Sequence, residues 1–159
     1  MQTLCKSRPF GFLSVLAIVL SADAVHAAST TCNGSLPSGT YGNIVVPSGA
    51  VCQLTGSYVN GNIEIQAGAG AGISATIIRG NVSATDSGPV LLDRAQVHGN
   101  VSIVGATGGV FGSVGIGGSY ITGNVRVADS SVGVVFGCCG NGNIVGGNVS
   151  IEDNGAGSR

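Results

Sequence analysis

Six carboxylates follow the first 27 residues: Glu64, Asp86, Asp93, Asp129, Glu152 and Asp153. Asp86, Asp129 and Asp153 each stand six places after the Gly of a Gly-Asn pair, at Gly80, Gly123 and Gly147. That recurrence puts them in one column if the pairs mark a repeat. Asp129 and Asp153 would then be adjacent, and two carboxylates at that spacing could work as acid and base or hold a Ca2+. The competing role is structural, because Asp favours the turn after a strand by bonding its own backbone. Gly105, which interrupts the column between Asp86 and Asp129, favours the turn. Arg79 and His98 each directly precede a Gly-Asn pair, which makes them expected neighbours on the outside, with His98 as a candidate base. No Ser–His–Asp order or nucleophile elbow accompanies them. No CxxC and no His pair marks a metal site. Apart from Ca2+ at the Asp pair, neither metal nor cofactor is expected.

The element that must position these residues is a repeat. Gly42-Asn43-Ile44-Val45-Val46 returns as Gly61-Asn62-Ile63-Glu64-Ile65, Gly80-Asn81-Val82-Ser83-Ala84 and Gly99-Asn100-Val101-Ser102-Ile103. Gly123-Asn124-Val125-Arg126-Val127 and Gly147-Asn148-Val149-Ser150-Ile151 complete it, and the Gly positions step by 19, 19, 19, 24 and 24. The second and fourth residues after each Gly are apolar and the third is not constrained to be, the period-two alternation of a strand with one buried face. One unit cannot bury its apolar face alone, whereas stacked units can. The expected fold is all-β: a parallel β-helix, or solenoid, of about six coils. The Gly fits a corner where a Cβ would clash or φ must be positive. Asn43, Asn62, Asn81, Asn100, Asn124 and Asn148 are expected to form an interior or corner ladder, since stacked Asn side chains hydrogen-bond along the axis. Gly142-Asn143 competes with Gly147-Asn148 for the last corner. Gly147 is preferred, because the alternative register puts Gly146 at an apolar position. The extra residues of the longer steps are then loops within 105–118 and 130–142.

Composition narrows the function. The 159 residues include 29 Gly, with 8% charged residues, 43% hydrophobic residues and a mean hydropathy of +0.46. Disordered chains combine low hydrophobicity with high charge, which excludes disorder, and Gly disfavours helix interiors, which argues against a helical bundle. Six Lys+Arg against seven Asp+Glu exclude a nucleic-acid partner bound through a basic surface. Residues 1–27 read as a secretory signal peptide: Lys6 and Arg8, a 13-residue apolar run at 10–22, then Val25-His26-Ala27 for cleavage. The apolar run is shorter than the roughly 20 residues a bilayer needs, and no transmembrane segment follows it. The product is expected to be secreted, periplasmic or on the cell surface, with a lead-in at 28–39, the β-helix at 40–153 and a flexible tail at 154–159.

Cys5 leaves with the leader, and Cys32, Cys52, Cys138 and Cys139 remain. The second pair lies about four coils from the first, roughly 19 Å at 4.8 Å per coil, beyond the ~7 Å Cα separation a disulfide tolerates. A Cys32–Cys52 disulfide clamping the N-terminal edge is therefore expected. Cys138 and Cys139 are left as a vicinal disulfide or as two thiols. Asn33-Gly34-Ser35 is a glycosylation sequon, and three further sequons are by-products of the repeat. Tyr58 and Tyr120 occupy equivalent strand positions, equally suited to packing and to sugar binding.

The Gly-Asn-[Ile/Val]-x-apolar corners resemble those of secreted bacterial right-handed parallel β-helix proteins, the pectate-lyase-like superfold, over about residues 40–153. They are also similar to the short-coil solenoids of bactofilins, which polymerise end to end. Enzymes of that superfold acting on acidic polysaccharides use clustered carboxylates, a basic group and often a bound cation. The resemblance thus implies a right-handed fold, and a small polysaccharide-active lyase or hydrolase, or its truncated remnant, as the alternative function. The leading expectation is non-catalytic: an exported structural or surface-interaction rod, with end-to-end self-association or an extracellular polysaccharide or surface molecule as partner. No apolar cap follows Ile151, and an uncovered parallel edge invites pairing. Association with another copy, or origin as a truncated copy of a longer solenoid, is the corresponding expectation.

Overall fold

The computed structural model describes residues 29–108, 112–137 and 142–155. The expected leader at 1–27, Cys138, Cys139 and residues 156–159 lie outside them. The described chain winds through strands taken three to a coil. The first two coils are β1 (Ser29–Thr31), β2 (Gly34–Leu36), β3 (Thr40–Tyr41) and β4 (Asn43–Val46), β5 (Val51–Thr55), β6 (Tyr58–Val59). The third and fourth are β7 (Ile63–Ile65), β8 (Gly70–Ser74), β9 (Ile77–Ile78) and β10 (Val82–Thr85), β11 (Val90–Asp93), β12 (Gln96–Val97). The fifth is β13 (Val101–Val104), β14 (Val114–Gly117), β15 (Tyr120–Ile121), and the sixth β16 (Val125–Ala128), β17 (Val134–Phe136), β18 (Ile144–Val145). β19 (Val149–Glu152) begins a seventh.

The strands stack as three parallel sheets. Sheet 1 holds seven strands, β1-β4-β7-β10-β13-β16-β19; sheet 2 holds β2 to β17 and sheet 3 holds β3 to β18, six each. The architecture is the parallel β-helix that the repeat predicts. Its register follows the Gly-Asn pairs: Ile44, Ile63, Val82, Val101, Val125 and Val149 stack in one inward column. Pairing starts upstream of Thr40, because β1 pairs with β4 and β2 with β5. The expected lead-in carries no Gly-Asn pair, which leaves that first coil without the repeat's signature.

The alternation buries one side of the interior strands. Ile44, Val46, Ile63, Ile65, Val101, Ile103, Val125 and Val127 on sheet 1 are at most 2% exposed, as are Leu54, Ile73, Leu92 and Ile116 on sheet 2 and Val59, Ile78, Val97 and Ile121 on sheet 3. Each such side chain contributes about 1.5–3 kcal/mol by leaving water, and each unit relies on its neighbours for that burial.

The corners are set by close approach and by backbone sign. A Cβ on Gly80, Gly99 or Gly123 would stand 2.6 Å from the carbonyl oxygen of the corner Gly one coil earlier, so side chains are excluded there by contact alone. None of these glycines has a positive φ. The adjacent Asn residues link the coils: Oδ1 of Asn43, Asn62, Asn81, Asn100 and Asn124 each accepts the backbone N–H of the next Asn, all at 2.8 Å. Asn62, Asn81, Asn100, Asn124 and Asn148 are exposed, so this column lies on the outer corner. Asn148 takes the sixth place in it. Asn143 instead sits between sheets 2 and 3, where its Oδ1 accepts the Ser119 N–H at 3.0 Å and its Nδ2 donates to the Ile116 carbonyl at 2.7 Å.

The longer steps have separate origins. In the fifth coil five additional residues lie between β13 and β14; in the sixth one lies before β17 and four between β17 and β18. Both insertions fall where the sequence places its loops.

Candidate functional site

The Asp column forms at the turn from sheet 1 to sheet 2. Asp86, Asp129 and Asp153 have φ of 49°, 55° and 50°, in line with Gly105 at 70°, and in the earlier coils Gly49 and Gly68, one residue further on, have φ of 73° and 69°. This is the left-handed region, where Gly is unstrained and Asp is tolerated through local hydrogen bonding. Asp129 and Asp153 follow the paired residues Ala128 and Glu152, so they are neighbours in successive coils. The Asp129 N–H donates to the Glu152 carbonyl at 3.3 Å. Their shared backbone geometry is that of a turn. No group of three or more His, Cys, Asp and Glu that could hold a metal exists among the described residues.

Arg79 and His98 are brought together as neighbours at the exit of sheet 3. The Arg79 N–H donates to the Val59 carbonyl and the His98 N–H to the Ile78 carbonyl, which places them one coil apart on consecutive strands. The Arg79 guanidinium lies over the Tyr58 ring, 5.4 Å from its centroid, within cation–π range. The His98 carbonyl accepts the Thr122 hydroxyl at 2.6 Å. Tyr58 and Tyr120 share an outward column with Thr40, Ile77, Gln96 and Ile144. An open depression of about 420 Å³ beside Tyr58 is lined by Ser38, Thr40, Ser57, Ala75 and Ile77, with Gly39 and Gly56. The remaining described arginines are paired, Arg94 with Asp93 at 2.8 Å and Arg126 with Glu152 at 3.3 Å. Both pairs are solvent-exposed and contribute little to stability.

Two sets of residues carry roles that the sequence reading did not assign. Hydroxyls at the corner between sheets 2 and 3 staple successive coils: Thr76 Oγ1 accepts the Ser57 N–H at 3.4 Å and donates to the Ser74 carbonyl at 2.9 Å. Ser119 Oγ does the same for the Ala95 N–H and the Gly117 carbonyl, both at 3.1 Å. Their signal was available, because Ser57, Thr76, Ala95, Ser119 and Asn143 follow the steps of the corner Gly. Ala75 and Arg94, with φ of 48° and 50°, occupy left-handed positions equivalent to Gly56 and Gly118. No residue preference announces them.

The ends of the stack differ. Cys32 and Cys52 form a disulfide with a Cα–Cα distance of 5.5 Å, and they are 0% and 2% exposed. Tyr41, packed against the core, donates its hydroxyl to the Pro37 carbonyl at 2.5 Å. At the other end Val149 occupies the same inward column as Val125, yet it is 46% exposed against 1%. Ile151 and Val145 are half-buried. Beside them Asn154 reaches back, accepting the Ser130 N–H at 3.1 Å and donating to the Val127 carbonyl at 2.9 Å.

The fold defines the class, an all-β parallel solenoid carrying a Cys32–Cys52 disulfide. No protein family, curated protein or solved structure matches the chain. No helix among the described residues is long and apolar enough to cross a membrane.

Proposed function

We propose that this chain is an exported, non-catalytic structural rod whose C-terminal end associates with the N-terminal end of another copy. The observation that carries the reading is Val149: an inward core position, 46% exposed, on the edge strand of sheet 1. Unpaired edges template further strands, and solenoids need their terminal units covered. Export is supported by the leader-like residues 1–27 and by the Cys32–Cys52 bridge, a bond characteristic of oxidising compartments. The left-handed turn geometry of Asp129 and Asp153 favours a backbone role over catalysis.

The test is light scattering of the purified chain, with its disulfide intact and after dithiol reduction, across a concentration series. The apparent mass is expected to rise with concentration in at least one redox state, and Val149→Lys is expected to hold it at the monomer. A monomer at every concentration in both redox states overturns the assembly role. Turnover of pectin or alginate with added Ca2+, abolished by Asp129→Ala or Asp153→Ala, overturns the non-catalytic one in favour of a small polysaccharide-active enzyme.

A further inference from the structure

Among the described strands the three sheets do not end together. Sheet 1 has seven strands and sheets 2 and 3 have six, so sheet 1 overhangs with β1 at one end and β19 at the other. When two copies meet end to end, β17 and β18 can stack on β2 and β3 of the next copy only if β19 and that copy's β1 share a single slot beneath β4. If β19 instead stacks on β1, sheets 2 and 3 each lack a strand at the joint, a gap of about 4.8 Å beyond normal strand spacing.

The two strands competing for the slot are unequal. In the register on β4, Thr30 faces Ile44, while Thr31 faces Val45. In the register of β19 on β16, Val149 faces Val125, Ser150 faces Arg126 and Ile151 faces Val127. Superposed through their corners, Val149 takes the place of Thr30 and Ile151 that of Cys32, which follows β1. β19 therefore offers two aliphatic side chains to the inward columns headed by Ile44 and Val46, where β1 offers one Thr and one Cys. Asn148 takes the place of Ser29 and prolongs the corner column towards Asn43. One lock opposes the exchange: Cys32 is fully buried and tied to Cys52 on β5, so the place Ile151 needs stays filled while the bridge is closed.

We infer that the joint between copies forms by strand replacement, with β19 of one copy displacing β1 of the next, and that the Cys32–Cys52 disulfide gates it. A dithiol reductant opens the gate: it gives two electrons and two protons to the bridge, becoming a disulfide itself, and Cys32 and Cys52 become thiols. β1 then peels from β4, and the edge of sheet 1 accepts β19. The inference rests on the end-to-end reading and specifies the joint.

The experiment measures mass by light scattering on the full chain, oxidised and dithiol-reduced, and places single cysteine pairs in a chain with Cys32 and Cys52 replaced by Ala and Cys5, Cys138 and Cys139 by Ser. Ser150→Cys with Val45→Cys reports replacement, since these positions become adjacent only across the joint. Within one chain they lie five strands apart, about 24 Å at 4.8 Å per strand. Ser150→Cys with Thr31→Cys reports simple addition. Expected are assembly of the reduced chain, its loss on oxidation, and an intermolecular 150–45 crosslink. A 150–31 crosslink, or equal assembly with the bridge closed, overturns strand replacement and leaves end-to-end association standing. A monomer in both redox states overturns both. The wild-type mass measurement decides the matter even if the Ala variant does not fold.

Discussion

In the first coil Cys32 is buried and bridged to Cys52, and Tyr41 packs on the core with its hydroxyl on the Pro37 carbonyl. In the last coil Val149, from an equivalent inward column, is 46% exposed, and Ile151 beside it is only half-buried. One end is held by a covalent bond, the other by stacking on the coil beneath. The contrast separates two sources of order in a repeat structure. Interior coils gain theirs from neighbours on both sides, whereas a terminal coil has one neighbour and needs a staple or a partner.

Removing the staple is expected to have the largest effect. Cys32→Ala with Cys52→Ala should lower the unfolding free energy by about 3 kcal/mol, the value for a loop of this length, as read from denaturant titration. A loss below about 1 kcal/mol would mean that the first coil holds by stacking alone. Truncation of the inward column comes next. Val125→Ala, at a position 1% exposed, is expected to cost about 2 kcal/mol, and Val149→Ala less than half of that in the monomer. Equal losses would show the last coil to be covered in solution. The smallest contrast concerns the corner. Asn100→Ala removes the acceptor of the Asn124 N–H and should cost about 1 kcal/mol. Asn148→Ala, beyond which no described coil lies, should change the monomer's thermal midpoint little, and a larger shift would place another chain against that corner.

The coils marked by Gly-Asn were legible because contact forces the signature. A Cβ on Gly99 meets the Gly80 carbonyl, and the Asn beside it bonds the next coil, so both residue types recur. The first coil was not legible, since β1 and β2 pair without a Gly-Asn corner and the coil carries Thr30 and Cys32 where later coils carry Val, Ile or Ala. The hydroxyl corner escaped notice because Ser, Thr and Asn each supply the same acceptor and Ala95 interrupts the series, its own N–H served by Ser119. The Asp column was legible in position, whereas the left-handed φ its members share was not. Arg94 at a φ of 50° is the least legible residue of all: a left-handed backbone costs a non-glycine residue about 1–2 kcal/mol, and nothing about an arginine forecasts it.

The two insertions carry a thermodynamic consequence. Lengthening a coil from 19 to 24 residues between stacked partners raises the entropy cost of closing it by only about 0.2 kcal/mol on logarithmic scaling. The sheets keep their register on either side of the insertions, so the chain length between β13 and β14, or between β17 and β18, is nearly decoupled from the stability of the stack. Those two connections are where foreign sequence can be grafted onto the rod at least thermodynamic expense.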